Sequence, residues 1–398
     1  MPPSVGRPAL RWPALGFWRL ALLSLAALVL SSHAAKLGQR DFKPLSSKAI
    51  NTLVSSPDPV RNIDPHNPAS HLSKILIPRP PDTENNTIVR EYIVSTLKKL
   101  KWHIEEDSFN DTTPYGVKRF TNIIATRDPK APRRVIFVGA TDSAAPCAFM
   151  LDLAEALDPL LDERQERLEN GEEDDEDVAE TTLQLVFFDG EEAYKQWTAT
   201  DSIYGARHLA HKWSTTYIAP NAKRRLLPAS ETELGTIEHL ILLDLLGAPN
   251  PTILSSFVDT AWLFDSMVAA EKRLAQSGAF VYGKEGVETK EKFTSFFTPR
   301  EGIYGFGGIE DDHIPFLRLG VSVLHVIANP FPRVWHKLQD DASALDIPTM
   351  RRWNLILRVF MAEYLNLQPS TSSRDVDDDA PRIQRSATEL FSIDPGEA

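Results

Sequence analysis

Cysteine is all but absent from this 398-residue chain, Cys147 being the one example. A single thiol leaves no intramolecular disulfide scaffold, no thiolate zinc finger and no CxxC redox centre. Any metal site must therefore draw on Asp, Glu and His. An excess of positive charge is missing as well. Lys and Arg number 43 against 55 Asp and Glu, giving a formal charge of −12. That argues against a protein that binds nucleic-acid phosphates, which would normally show a basic face. No internal repeat is present. The apolar run at residues 20–30 is shorter than the ~20 residues of a membrane span.

What is there begins with a targeting pattern at residues 1–35. Arg7, Arg11 and Arg19 precede the apolar run, and Ser31, Ser32, His33, Ala34 and Ala35 follow it. A basic start, an apolar middle and a small-residue end describe a secretory signal. Starting the run at Leu15 lengthens it but encloses Arg19, which leaves an uncleaved anchor as the alternative. Two sequons, at Asn85 and Asn110, agree with the secretory route and a glycoprotein. The expected location is secreted, or ER/Golgi if the segment stays as an anchor, the one case with membrane contact.

Residues 36–81 are rich in Pro, Ser and Asn and read as an extended arm on the core. Helical spacing marks 87–100, 144–161, 202–213, 261–276 and 346–365. Strand-like runs lie at 120–125, 135–138, 183–188, 240–246 and 321–327. Continuous apolar runs such as 183–188 suit strands buried on both faces of a parallel sheet. Strands alternating with helices predict an α/β fold, an open, mainly parallel twisted sheet flanked by helices. The acidic stretch 162–180 reads as a solvated insertion, since it lacks the regular oxygen spacing of an EF-hand calcium loop. Residues 368–398 are rich in Ser, Asp and Pro and read as a disordered tail.

In open parallel sheets ligands bind beyond the carboxyl ends of the strands, and several carboxylates fall there. Asp142 follows the strand at 135–138. Asp189, Glu191 and Glu192 follow 183–188. Asp244 sits between Leu242-Leu243 and Leu245-Leu246. Glu310, Asp311, Asp312 and His313 precede the strand that carries His325, with Trp335 and His336 beyond it. Alone, Asp142 suits a helix N-cap, and Glu191 with Glu192 suits a first-turn pair favoured by a helix dipole. Asp244 is less readily explained, because a buried carboxylate needs a partner, metal or substrate. Together the groups suggest chemistry. One Asp, one Glu and one His would satisfy a catalytic zinc site with an open position. A neighbouring carboxylate would be free to move protons, and adjacent Glu191 and Glu192 can divide the two tasks.

Long ordered blocks carry a family resemblance: TPYGVKRFTNIIAT, FVGATDSAAPCAFMLDLAEAL, LQLVFFDGEEAYKQW, DSIYGARHLA, LLDLLGAPNPT, IEDDHIPFLRLGVSVLHVI and PFPRVWHKLQDD. They resemble the glutaminyl-peptide cyclotransferases, relatives of the zinc aminopeptidases. The resemblance covers roughly residues 36–367 and implies one zinc-dependent cyclotransferase domain there. It implies cyclisation of N-terminal glutamine of peptides or proteins to pyroglutamate, with release of ammonia; a monomer is expected. By motif it makes Asp142, Glu192 and His336 the ligands of one zinc ion per chain. Glu191 becomes the general acid/base, Asp244 and Asp311 supporting carboxylates, and Trp197, His325, Phe331 and Trp335 substrate-pocket residues.

The chain departs from the family in one place. Family members carry a strand ending in His-Tyr-Asp-Ser, then a loop, before the GATDSA block. Here Ala131-Pro132-Arg133-Arg134 runs directly into Val135. The deletion predicts a missing central strand, with neighbours short of backbone partners and a poorly folded or weakly active chain. The alternative is that residues 135–138 slide into the gap and shift Asp142. Two other readings follow: a two-zinc aminopeptidase, disfavoured by the lost His-x-Asp element, and a non-catalytic binding domain that keeps the fold.

Overall fold

The computed structural model describes residues 42–171, 180–221, 223–224, 227–228, 230–281, 293–300 and 308–369. The expected signal at 1–35, most of the tail at 368–398 and the acidic segment 172–179 lie outside the described residues. Six strands form one sheet: β1 (His103–Thr113), β2 (Gly116–Thr126), β3 (Arg133–Ala140), β4 (Thr181–Phe188), β5 (Ile237–Asp244) and β6 (Val323–Ile327), in the order β1-β2-β4-β3-β5-β6. Strands β4, β3, β5 and β6 are mutually parallel; β1 and β2 form an antiparallel hairpin, and β2 runs antiparallel to β4. The α/β expectation holds.

Side chains alternate across the sheet with the period of two that strands impose. Val135, Phe137, Leu183, Leu185, Ile241 and Leu243 pack to one side. There they meet α1 (Ser47–Ser55), α4 (Ala144–Glu169), α6 (Ala261–Ser277) and α8 (Ile347–Tyr364). Ile136, Val138, Val186, Leu240 and Leu242 face the other side, against α5 (Tyr204–Thr215) and α7 (Ile314–Arg318). The remaining α-helices are the short α2 (His71–Ile75) and the longer α3 (Glu84–Lys99). Among the described residues no helix is long and apolar enough to cross a membrane.

The expected gap in the sheet is not there. Strand β3 pairs with β4 from Arg133↔Thr181 to Ala140↔Phe188 and with β5 from Arg134↔Ile237 to Val138↔Leu242. Residues 133–140 are apolar enough to serve as the central strand, so backbone partners exist on both sides and the costly defect is avoided. The consequence is a short exit: only Thr141 separates β3 from Asp142, and its N–H donates to the Phe188 carbonyl at 2.7 Å.

Three further expectations change. The arm is not wholly extended, since α1 and α2 lie within it, capped by the hydroxyls of Ser46 and Ser70. The acidic stretch continues α4 as far as Glu169. The polar strand β1 has no apolar run to announce it; it is an edge strand with charged side chains, as sheet edges commonly are.

Asp107, buried on β1, accepts from Lys212 Nζ at 2.9 Å and lies 3.5 Å from His208 Nε2. Burial pushes its carboxyl up, but the hydrogen bonds and charges of His208 and Lys212 outweigh that and hold it at about 2. A depressed carboxyl stabilises the fold above its unfolded value of about 3.9 and loses that contribution as pH falls through the folded value. Asp107→Asn is expected to cost on the order of 1–2 kcal/mol at neutral pH and to flatten the acid limb between about pH 4 and 2. Urea melts across that range test this; an unchanged acid limb would contradict it.

Candidate active site

Four parallel strands pointing one way bring their exit loops to one edge of the sheet. β3 delivers Asp142, β4 delivers Asp189 to Glu192, β5 ends at Asp244, and the segment after β6 carries Phe331, Trp335 and His336. Asp311 and Asp312 arrive from the loop before α7.

Asp142 is not a helix cap, because α4 has Ser143 at its N-cap position. Ser143 makes no cap bond with its side chain; its hydroxyl donates to Asp244 Oδ1 at 2.7 Å. Glu191 and Glu192 are not in a helix first turn either, since α5 starts only at Tyr204. They follow Gly190, whose φ of 73° is a left-handed conformation. A Cβ there would also stand 2.4 Å from the buried Phe120 ring, so only glycine makes this turn without strain. The turn is tied down at Asp189, which accepts from the Thr121 N–H at 2.8 Å and from Asn86 Nδ2 at 3.0 Å. Burial pushes the Asp189 carboxyl up to about 6 against these two bonds.

Glu191 and Glu192 have different surroundings. Glu192 is exposed and meets His336 Nε2 at 2.7 Å. Glu191 is half-buried; burial, then the charges of Asp142, Asp311, Asp312 and Glu192, push its carboxyl well above the usual range. Asp142 opens to solvent, yet protein packed around it, followed by the Glu192 charge, raises it to about 6. Burial and the Asp311 charge raise Asp244 strongly, with the Ser143 bond opposing. Asp311 stands at about 7, raised first by burial.

Asp311 Oδ2 lies 3.1 Å from His325 Nε2, and burial holds that imidazole down at about 3, hence neutral. Trp197 is fixed by Nε1 donating to Glu310 Oε2 at 3.0 Å. The Trp335 ring stacks on His336 with centroids 3.7 Å apart, and Phe331 meets Trp335 at 4.9 Å. Residue-type reasoning passed over Ser143, Arg79 and Asn86 and gave Asp312 no role of its own. The first three are common polar residues in unremarked positions. Asp312 stood in view beside Asp311; it is fully buried, and neither of its carboxyl oxygens has a hydrogen-bond partner among the described residues.

Among the described residues no three His, Cys, Asp or Glu side chains converge closely enough to hold a metal ion. Glu192 and His336 are in contact, whereas Asp142 is linked to Glu192 through its charge alone. The donors nevertheless fit a divalent cation in chemistry. They are carboxylate oxygens and one imidazole nitrogen, the ligands zinc takes. Several crowded carboxyls raise one another's proton affinity, and among the described residues neither carboxyl oxygen of the buried Asp312 is hydrogen-bonded, so the site is one where a bound cation would relieve the cost of ionising these acids.

A model described as Peptidase family M28 matches residues 111–361. The glutaminyl-peptide cyclotransferase-like protein of Bos taurus is 39% identical over 373 residues, covering 87% of this chain and 90% of its own length. The glutaminyl-peptide cyclotransferase of Drosophila melanogaster is 42% identical over 310 residues, covering 74% and 79%. Among solved structures, the glutaminyl cyclase of Macrostomum lignano superposes with a TM-score of 0.68 at 35% identity, covering 83% of this chain and 97% of that one.

Proposed function

On the premise that the chain belongs to peptidase family M28, and within it to the glutaminyl-peptide cyclotransferases, we propose that it cyclises N-terminal glutamine of peptides and proteins to pyroglutamate, releasing ammonia. The observation that carries this reading is the division between adjacent acids. Glu191 is pushed towards its protonated form, while the exposed Glu192 faces His336. One carboxyl is thus suited to move protons and the other to hold a cation.

Asp142, Glu192 and His336 are the residues that would hold one zinc ion. Zinc, when bound, supplies Lewis-acid polarisation of the side-chain amide carbonyl. The rest falls to the chain. Trp197, Phe331 and Trp335 enclose the glutamine side chain and limit water, which disfavours hydrolysis. The α-amine and the amide belong to one residue, so holding them close favours ring closure. Glu191 takes a proton from the attacking amine and passes one to the departing ammonia. Asp244, oriented by Ser143, and Asp311, oriented by His325, hold the amine and amide nitrogens by charge-assisted hydrogen bonds. Residues 1–35 serve as the secretory signal or as an uncleaved signal anchor, and residues 36–367 carry the cyclotransferase.

A cation here has a pH signature. Acids whose folded values are raised, such as Asp142 at about 6 and Asp311 at about 7, make the fold bind more protons than the unfolded chain. Stability is then complete below the unfolded value of about 3.9 and falls as pH rises through about 6–7. Zinc is expected to raise the melting temperature more at about pH 7.5 than at about pH 5, because it offsets a penalty that is only partly developed at the lower pH and complete at the higher one. Thermal melts and metal analysis test this together, with one zinc per chain expected. Two zinc ions with release of leucine from Leu-led peptides would favour the aminopeptidase and overturn the proposal.

A further inference from the structure

Arg79 belongs to the arm, before the M28-matched residues 111–361, yet its side chain is buried at the exit of β3. Nε donates to the Thr141 carbonyl at 2.5 Å and Nη2 to the Asp142 carbonyl at 2.7 Å, while Nη1 returns to Ile77 of the arm at 2.9 Å. Seven residues on, Asn86 Nδ2 reaches Asp189 Oδ1 at 3.0 Å, on the turn that leads into Glu191 and Glu192. The Asn86 side chain also touches the Arg79 carbonyl, at 3.5 Å. One short segment, 77–86, therefore grips two neighbouring loops, one carrying Asp142 and the other Glu192.

We infer that Arg79, seconded by Asn86, is a positioning brace that fixes Asp142 relative to Glu192 and so sets the affinity of the zinc site from outside the shared peptidase core. Several features support a positioning role over simple packing. A planar guanidinium offers several donors in a fixed fork, and here two of its nitrogens hold the carbonyls of Thr141 and Asp142 at the junction while the third holds the Ile77 carbonyl of the arm. The junction needs such support, since a single residue joins β3 to Asp142 and leaves no loop of its own to hold the carboxylate in place. Groups that orient metal ligands without touching the metal commonly change affinity by about 10–100-fold when removed.

The inference rests on Asp142 being a zinc ligand, so the experiment separates the two ideas. Zinc dissociation constants are measured on the full chain by competition with a chromophoric chelator, for the parent, Arg79→Ala, Arg79→Lys, Asn86→Ala and Asp142→Asn. Visible spectra of the cobalt-substituted proteins report the geometry at the metal. The brace predicts that Arg79→Ala binds zinc about 10–100-fold more weakly with an altered cobalt spectrum, Arg79→Lys falls between it and the parent, and Asn86→Ala shows a smaller loss. Should Arg79→Ala not fold, Arg79→Lys and Asn86→Ala carry the test, and parent affinity with a parent spectrum in both would overturn the inference. Parent affinity in Arg79→Ala, alongside zinc loss in Asp142→Asn, would also overturn it and leave the ligand assignment standing. Unchanged zinc binding in Asp142→Asn would remove the ligand assignment and the brace with it.

Discussion

Glu191→Gln is expected to keep its zinc and lose turnover on Gln-led peptides by about 10²-fold or more, the scale of a lost general acid/base. The two acids are adjacent in sequence but unlike in surroundings. Glu191 is pushed up by burial and by the charges of Asp142 and Asp311, so it holds a proton far more readily than an ordinary glutamate. A group able to take a proton and give it back is what a reaction requires when it deprotonates an amine and protonates a leaving nitrogen. Glutamine keeps the size of the side chain and removes the titration. Glu192→Gln is expected to do the reverse, weakening zinc retention through loss of a charged ligand that faces His336. Metal analysis of both purified variants beside their kinetics is the check. Equal zinc loss in the two would mean the roles have been assigned to the wrong acids.

The largest stability effect is expected at Asp152→Ala, far from the site. Arg358 and Asp152 are both fully buried. The guanidinium grips both carboxylate oxygens, with Nη2 to Oδ1 at 2.7 Å and Nε to Oδ2 at 2.8 Å. Its third nitrogen donates to the carbonyls of Leu53 and Pro57 in the arm, and Asn62 Nδ2 adds a bond to Asp152 at 3.0 Å. The pair thus fastens the arm to α4 and α8. Arginine stays charged in proteins, so removing the acid strands a cation in the core. The expected loss is about 3–5 kcal/mol, a large share of the ~5–15 kcal/mol that stabilises a typical domain. Replacing Arg358 by Met in the same chain should recover part of that loss by removing the stranded charge. Urea melts of the single and double variants decide; a loss under about 1 kcal/mol would show that water or another group reaches Arg358.

Much of this was legible in the residues. The apolar runs at 183–188 and 240–246 announced β4 and β5, because a strand buried on both faces must be apolar throughout. The acids expected at strand ends do follow β3, β4 and β5, and so share one edge of the sheet. What was not legible came from contacts that spacing does not encode. β1 is polar because it lies at the edge, so it gives no burial signal. The departure from the family pattern suggested either a hole or a slide of residues 135–138 into it; residues 133–140 stand in the central position and gain a ladder on each side. The Ser143–Asp244 bond and the Arg79 grip on Thr141 and Asp142 join residues distant in the chain, and neither residue type marks itself out. The convergence of Asp142 with Glu192 and His336 is where the motif says more than the geometry, since the last two are in contact and the first is not.

This chain is expected to carry a working cyclase site. That expectation is tested most directly by mass measurement of a Gln-led peptide incubated with the zinc-loaded full chain, beside its Leu-led counterpart. The Gln-led peptide should lose one molecule of ammonia and no residue, the Leu-led peptide should stay intact, and a chelator should stop the reaction. An intact Gln-led peptide after prolonged incubation with folded, zinc-loaded protein, or removal of leucine from the Leu-led one, would contradict the account.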